Sequence, residues 1–198
     1  MLLYGIIEIV GGNPNENHLR GYYIMFIDKI KRIISLYEEK KIKVGPGLSN
    51  AQIQQAEDFY DIVFPPDIRQ LIQAIKPEKG SAMNFPDWDD FSQKNIDTIQ
   101  DQLNWPINGA LFDVEHNNFW LKSWGERPAA LEEQLIIADK QMRLVPKLIP
   151  ITGHRYISSN PNECGNPVYS VYQMDIIFME KISGITLNLN SRKECTHN

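Results

Sequence analysis

The chain has 198 residues, of which 42% are hydrophobic and 23% charged, as in ordinary soluble globular domains. Its formal net charge of −5 argues against a general nucleic-acid binder, because such proteins need a basic face to displace counterions. The two cysteines, Cys164 and Cys195, show neither a disulfide framework nor a metal-ligand spacing, which fits a reduced cytoplasmic setting. No apolar run reaches the length of a membrane-spanning helix, so the sequence predicts no membrane partner.

The two ends of the chain are patterned less clearly than its middle. Residues 1–24 have turn-like composition and no clear period, whereas apolar residues at helical spacing begin near Met25. This contrast raises the hypothesis that the natural chain begins at Met25 and that residues 1–24 are not native, with a start at Met1 as the alternative. At the other end, residues 179–198 form an atypical tail in which 185–189 alternate like an edge strand and 191–198 are polar.

Helices are predicted in the first half of the chain. Ser49 and Gln52 form a capping box that opens a helix, and the Pro65-Pro66 pair ends it. Pro66 then begins a second helix that ends at Pro77. A third amphipathic segment covers about residues 91–103. The buried positions predicted for the first two helices are Ile53, Ala56, Tyr60 and Val63, followed by Ile68, Leu71, Ile72 and Ile75.

Strands dominate the second half. Residues 111–114 and 118–121 are apolar runs that flank polar residues 115–117, which predicts a β-hairpin. Pro128 is expected to start a helix whose apolar face contains Leu131, Leu135, Ala138, Met142 and Val145. Four short β-like runs follow, at 148–151, 156–158, 168–172 and 176–179. This order predicts a single α+β domain with a central, mostly antiparallel sheet flanked by helices.

The predicted hairpin contains Asp113, Glu115 and His116, which invite a comparison with metal-dependent hydrolases. Alternation along a strand points His116 to the face opposite the two carboxylates, and the spacing matches no known ligand pattern. The sequence also lacks a nucleophile elbow and a glycine-rich phosphate loop. We therefore predict no catalytic residue, metal or cofactor, and a metal-dependent hydrolase stays the least favoured alternative.

Acidic and aromatic residues concentrate in the middle of the chain. Residues 84–133 contain ten acidic and three basic side chains, a balance that suits a partner with a basic surface. Phe112, Phe119 and Trp120 are expected in the core, as is Trp105 before a turn at Pro106. The predicted partner-binding residues are the aromatic and acidic positions Trp88, Asp89, Asp90, Asp113, Glu115, Trp124 and Glu126.

Several sequence blocks resemble the SUKH superfamily of immunity proteins, which includes fungal regulators of cell-wall synthesis. They are the Gly-Leu-Ser at 47–49, Glu57, Tyr60, Phe-Pro-Pro-Asp-Ile-Arg at 64–69, Asn-Phe-Pro-Asp-Trp at 84–88, and residues 111–115, 124–128, 148–151, 154–157, 165–173 and 175–177. The resemblance covers residues 25–178. It departs from the bacterial pattern after Ile177, where an aromatic-Gly turn and a closing helix are expected, so we expect a truncated or frame-shifted end.

The resemblance implies a function as well as the α+β fold. It implies a non-enzymatic protein that binds and neutralises a cognate bacterial toxin domain, often a nuclease. The charge and the cysteine content add the expectation of a cytoplasmic protein that does not bind nucleic acid directly. It transfers no residue-level toxin contacts and leaves the toxin and the oligomeric state open. The alternative is a regulatory protein-binding module in cell-envelope or signalling pathways, like the fungal members.

Overall fold

The computed structural model describes residues 43–77 and 85–181, together with the single helical positions 31, 35 and 39. Those three positions lie in the segment predicted to be helical from Met25. The predictions for residues 1–24, for the start at Met25 and for the tail beyond residue 181 lie outside the described residues. In chain order the elements are β1 (Val44–Gly45), α1 (Asn50–Tyr60), α2 (Pro66–Ala74), β2 (Lys76–Pro77), α3 (Gln93–His116), a 3-10 helix (Lys122–Trp124), α4 (Leu131–Met142), β3 (Leu148–Thr152), β4 (Arg155–Ser158), β5 (Pro167–Tyr172) and β6 (Asp175–Lys181).

The predicted α+β class is confirmed. Strands β3 to β6 form a four-stranded antiparallel sheet in chain order, and β1 pairs with β2 in a separate two-stranded sheet. All four β-like runs of the second half are strands. The last of them, β6, continues to Lys181, three residues past the predicted domain end at 178. Among the described helices, none is both long and apolar enough to cross a membrane.

The capping box of α1 forms as predicted. The backbone N–H of Gln52 donates to Ser49 Oγ at 3.3 Å, and the backbone N–H of Ser49 donates to Gln52 Oε1 at 2.9 Å. These bonds satisfy two of the donors that a helix start leaves unpaired. Pro66 is the first residue of α2, as predicted. The prediction for Val63 is wrong, because α1 ends at Tyr60 and the Val63 side chain is 51% exposed.

One apolar core joins α1, α2, α3 and the sheet. Trp88 lies inside it with 4% of its surface exposed, and its ring contacts Tyr60 and Phe64 edge-on at centroid distances of 5.7 and 5.0 Å. Edge-on aromatic pairs add to the free energy gained by burial. The other buried members include Leu48, Ile53, Ala56, Ile68, Leu71, Ile99, Ile149 and Ile157.

The predicted hairpin at residues 111–121 is wrong, because α3 runs without interruption from Gln93 to His116. Pro106 lies inside this helix, where it removes the N–H that would bond to the carbonyl of Gln102. Tyr156 on β4 compensates, since its hydroxyl donates to that carbonyl at 3.0 Å. Burial raises the pKa of Tyr156 to about 12, so the hydroxyl keeps its proton at neutral pH. The helix therefore continues past a proline with help from a strand 54 residues away in sequence.

The second half of α3 packs on α4. Ala110 and Val114 on α3 and Ala138 on α4 are fully buried, and the two alanines permit a close approach of the backbones. Helix α4 begins at Leu131, three residues after the predicted start at Pro128. Of its predicted apolar face, Leu131 is 42% exposed and Val145 lies beyond the helix with 53% exposure.

Candidate protein-binding surface

The three predicted partner-binding residues at 88–90 are occupied by internal contacts. Trp88 is buried in the core, so little of its ring can reach a partner.

Asp89 accepts a hydrogen bond from Gln52 Nε2 at 3.0 Å and forms an ion pair with Lys76. Asp87 pairs with the same lysine at 2.8 Å. Burial disfavours the charged form of Lys76, but the bonds to Asp87 and Asp89 outweigh it and raise the pKa of Lys76. Asp90 accepts a bond from the backbone N–H of Ser92 at 2.9 Å.

Asp113 is also turned inward, with 7% of its surface exposed. Its Oδ1 accepts a bond from the side-chain amide of Asn117, and its Oδ2 accepts one from the backbone N–H of Met174 at 2.9 Å. The second bond ties the β5–β6 turn to α3. Asp113 therefore serves the fold, and its position does not suit the partner contact predicted for it.

Asp113, Glu115 and His116 do not form a common site. Glu115 is exposed at the end of α3, and its Oε2 lies 3.6 Å from His116 Nε2, while Asp113 points to the β5–β6 turn. The His116 ring lies against Phe112 at a centroid distance of 4.4 Å. Among the described residues, no group of three or more His, Cys, Asp or Glu side chains is arranged to hold a metal ion.

The loop between α3 and α4 carries a compact aromatic cluster. The Trp124 ring meets Trp120 edge-on at 5.3 Å and Phe119 at 5.6 Å. The Trp120 indole N–H donates to the carbonyl of Gly125 at 2.9 Å, which closes the loop on itself. All three rings are half-buried, so Phe119 and Trp120 are only partly in the core. The core prediction is wrong for Phe112 and Trp105, each of which is 44% exposed.

Arg127 fixes this loop against both helices. Its guanidinium donates to the carbonyl of Val114 at 2.9 Å, to the carbonyl of Asn118 at 3.1 Å and to Gln134 Oε1 at 2.8 Å. Its charge also lies 5.8 Å from the centroid of the Trp120 ring, within cation–π range. The buried amide of Gln134 in turn donates to the carbonyl of Pro128 at 2.7 Å. The planar, five-donor guanidinium suits this role, because it satisfies acceptors from three directions at once.

Glu115, Trp124 and Glu126 form what we name the loop surface. Glu115 and Glu126 are exposed, and Trp124 is half-exposed above rings that the Arg127 network holds in place. A ring that is held in this way loses little conformational entropy when a partner binds, and the exposed carboxylates can reach that partner. The arrangement therefore suits protein recognition, and it retains three of the seven predicted partner-binding residues.

Two features of this region were missed from sequence. The predicted partner-binding residues do not include Arg127, although it lies between Glu126 and Pro128, just before the predicted helix. The exposed positions of α3 were not recognised as one helical face, because residues 111–121 were interpreted as strands. Comparison of the chain with protein-family models, curated proteins and solved structures finds no match.

Proposed function

We propose that the protein is a cytoplasmic immunity protein that binds a cognate toxin domain and neutralises it without catalysing a reaction. The observation that carries the proposal is the loop surface, where the Arg127 network holds aromatic rings in accessible positions and the carboxylates of Glu115 and Glu126 are exposed. Its support from sequence is the ordered series of blocks that resemble SUKH immunity proteins. The α+β fold, with its antiparallel sheet, is the fold that this resemblance implies.

The charge of the chain favours a basic partner. Residues 84–133 contain ten acidic and three basic side chains, and Glu115 and Glu126 of the loop surface are exposed. Complementary charges raise association rates and disfavour partners of like charge. Toxins that act on nucleic acids need a basic surface for their substrate, so an acidic protein can occlude it.

Co-expression with the toxin encoded by the neighbouring gene tests this proposal. We expect growth to be restored and the purified toxin domain to bind in a calorimetric titration. A matched pair of variants, Glu126→Lys in the loop surface and Glu163→Lys in the exposed turn before β5, changes net charge equally. We expect only Glu126→Lys to weaken binding. If the wild-type protein neither restores growth nor binds, the proposed function is wrong. A neighbouring product that is not toxic but binds would favour the regulatory module instead.

A further inference from the structure

One face of α3 is exposed along much of its length and carries two large rings. The exposed positions recur at intervals of three and four residues, as expected for one side of a helix. The rings are those of Trp105 and Phe112, each 44% exposed. The exposed positions of this face are Asp101, Trp105, Asn108, Phe112 and Glu115.

The turn between β5 and β6 is fastened to α3 beside this face. The Trp105 indole N–H donates to the carbonyl of Val171 at 3.4 Å, and Asp113 Oδ2 accepts the backbone N–H of Met174 at 2.9 Å. Between them lies Gly109, where an added Cβ would come within 2.7 Å of the Gln173 Cα. Residues 105, 109 and 113 are spaced by four, so they lie on three successive turns of α3. Each of these turns contacts the hairpin, which holds the hairpin close to the helix.

The fastened hairpin extends the apolar face of α3. Tyr172 is 63% exposed, and its ring lies 6.4 Å from that of Trp105. Tyr172 pairs across the hairpin with Asp175, and strand alternation places both side chains on the sheet face opposite to buried Val171. Ile176 and Phe178 pair with Val171 and Tyr169, so they lie on the other face and are not neighbours of Tyr172. We name Trp105, Phe112 and Tyr172 the α3–hairpin surface.

Three exposed carboxylates lie beside this surface. Asp101 precedes Trp105 by one helical turn, Glu115 follows Phe112 by three residues, and Asp175 pairs with Tyr172 across the hairpin. The His116 imidazole lies against the Phe112 ring and near Glu115. Clustered exposed rings with a charged rim are typical of protein interfaces, and an acidic rim matches a partner whose apolar centre is surrounded by lysines and arginines.

We propose that the α3–hairpin surface is the apolar centre of the contact with the toxin domain. This inference rests on the proposed function. The occupant is a basic protein surface, and the loop surface lies at the edge of the same contact, because Glu115 of the loop surface is on the same exposed α3 face as Trp105 and Phe112. Apolar rings in the centre supply most of the binding free energy, while the carboxylates supply encounter rate and specificity.

Binding of the purified, catalytically inactive toxin domain to single variants tests this assignment. Tyr172→Ala and Phe112→Ala each remove an exposed ring, and we expect each to raise Kd by about tenfold or more, as interface hot spots do. Leu144→Ala is the control, because Leu144 is 71% exposed and follows α4, outside the α3–hairpin surface. Its Kd should equal that of the wild type. Thermal unfolding checks that all three variants fold.

The possible outcomes are distinguishable. If the wild type binds and protects but Tyr172→Ala and Phe112→Ala bind equally well, the α3–hairpin surface is not the contact and the proposed function stands. If the wild type does not bind at all, both proposals are wrong. Sedimentation of the isolated protein tests whether a second copy of the chain occupies this surface. A wild-type dimer that becomes monomeric in Tyr172→Ala would show that it does, and would overturn the assignment to the toxin domain.

Discussion

Replacing Arg127 by alanine tests whether its guanidinium holds the loop surface together. The change removes donors from the carbonyls of Val114 and Asn118 and from the Oε1 of Gln134. A hydrogen bond from a charged donor contributes about 1.5–3 kcal/mol, and water can replace the bond at exposed Asn118. The bonds to Val114 and Gln134 are partly buried, so water replaces them only in part. We therefore expect Arg127→Ala to lower the free energy of unfolding by roughly 2–3 kcal/mol.

Urea unfolding followed by circular dichroism measures this change, and tryptophan fluorescence reports on Trp120 and Trp124. Arg127→Lys keeps the charge but has no planar fork, so we expect it to recover less than half of the loss. The control is Arg143→Ala, because Arg143 makes an exposed ion pair with Asp139 one helical turn away. That variant should change stability by no more than about 0.5 kcal/mol. If Arg127→Ala also stays within about 0.5 kcal/mol of wild type, the network does not hold the loop.

Three further predictions concern the hairpin, a buried carboxylate and the partner. Gly109→Ala places a Cβ 2.7 Å from the Gln173 Cα, and we expect the free energy of unfolding in urea to fall by about 1–3 kcal/mol. In the control Gly153→Ala the new Cβ meets open space, so the only cost should be the strain of the positive φ. Burial raises the pKa of Asp67 above its ordinary value of 3.8, despite bonds from the N–H groups of Gly165 and Ile68. Folded Asp67 therefore holds its proton more tightly than unfolded Asp67, so its stabilising effect is complete below pH 3.8 and is lost as pH rises through the folded pKa. The stability difference between wild type and Asp67→Asn should fall over that interval, and a constant difference would contradict the assignment. Finally, the association rate with the toxin domain should fall as salt is added, because exposed carboxylates are screened, and a salt-independent rate in stopped-flow mixing would exclude electrostatic steering.

The α1–α2 region was largely predictable because its signals are local. The capping box at Ser49 and the proline at the first position of α2 act within a few residues, so the sequence pattern and the structure agree. The strands at 148–179 were predictable for a similar reason, since short β-branched and aromatic runs are separated by turn residues. Their antiparallel order follows from short connections.

The partner-binding candidates were harder to predict, because acidic and aromatic residues take part in both folding and recognition. Trp88 and Asp113 look like surface residues in sequence, but one fills the core and the other accepts a backbone bond from the β5–β6 turn. Glu115, Trp124 and Glu126 stay accessible. Nothing within a few residues of these positions distinguishes the two groups, since Trp88 packs on Tyr60 and Phe64 and Asp113 bonds to Met174, all of them distant in sequence.

The sequence by itself determined the α+β class, the capped helices and the final strands, because each depends on residues close in the chain. Only the tertiary structure decided that residues 111–116 are helical. A short apolar run is compatible with a strand or a helix, and Pro106 argues against a continuous helix. The Tyr156 hydroxyl satisfies the carbonyl that Pro106 leaves unpaired, and Val114 gains burial against α4. That choice creates the exposed face of α3, because the same residues in a hairpin would be divided between two faces.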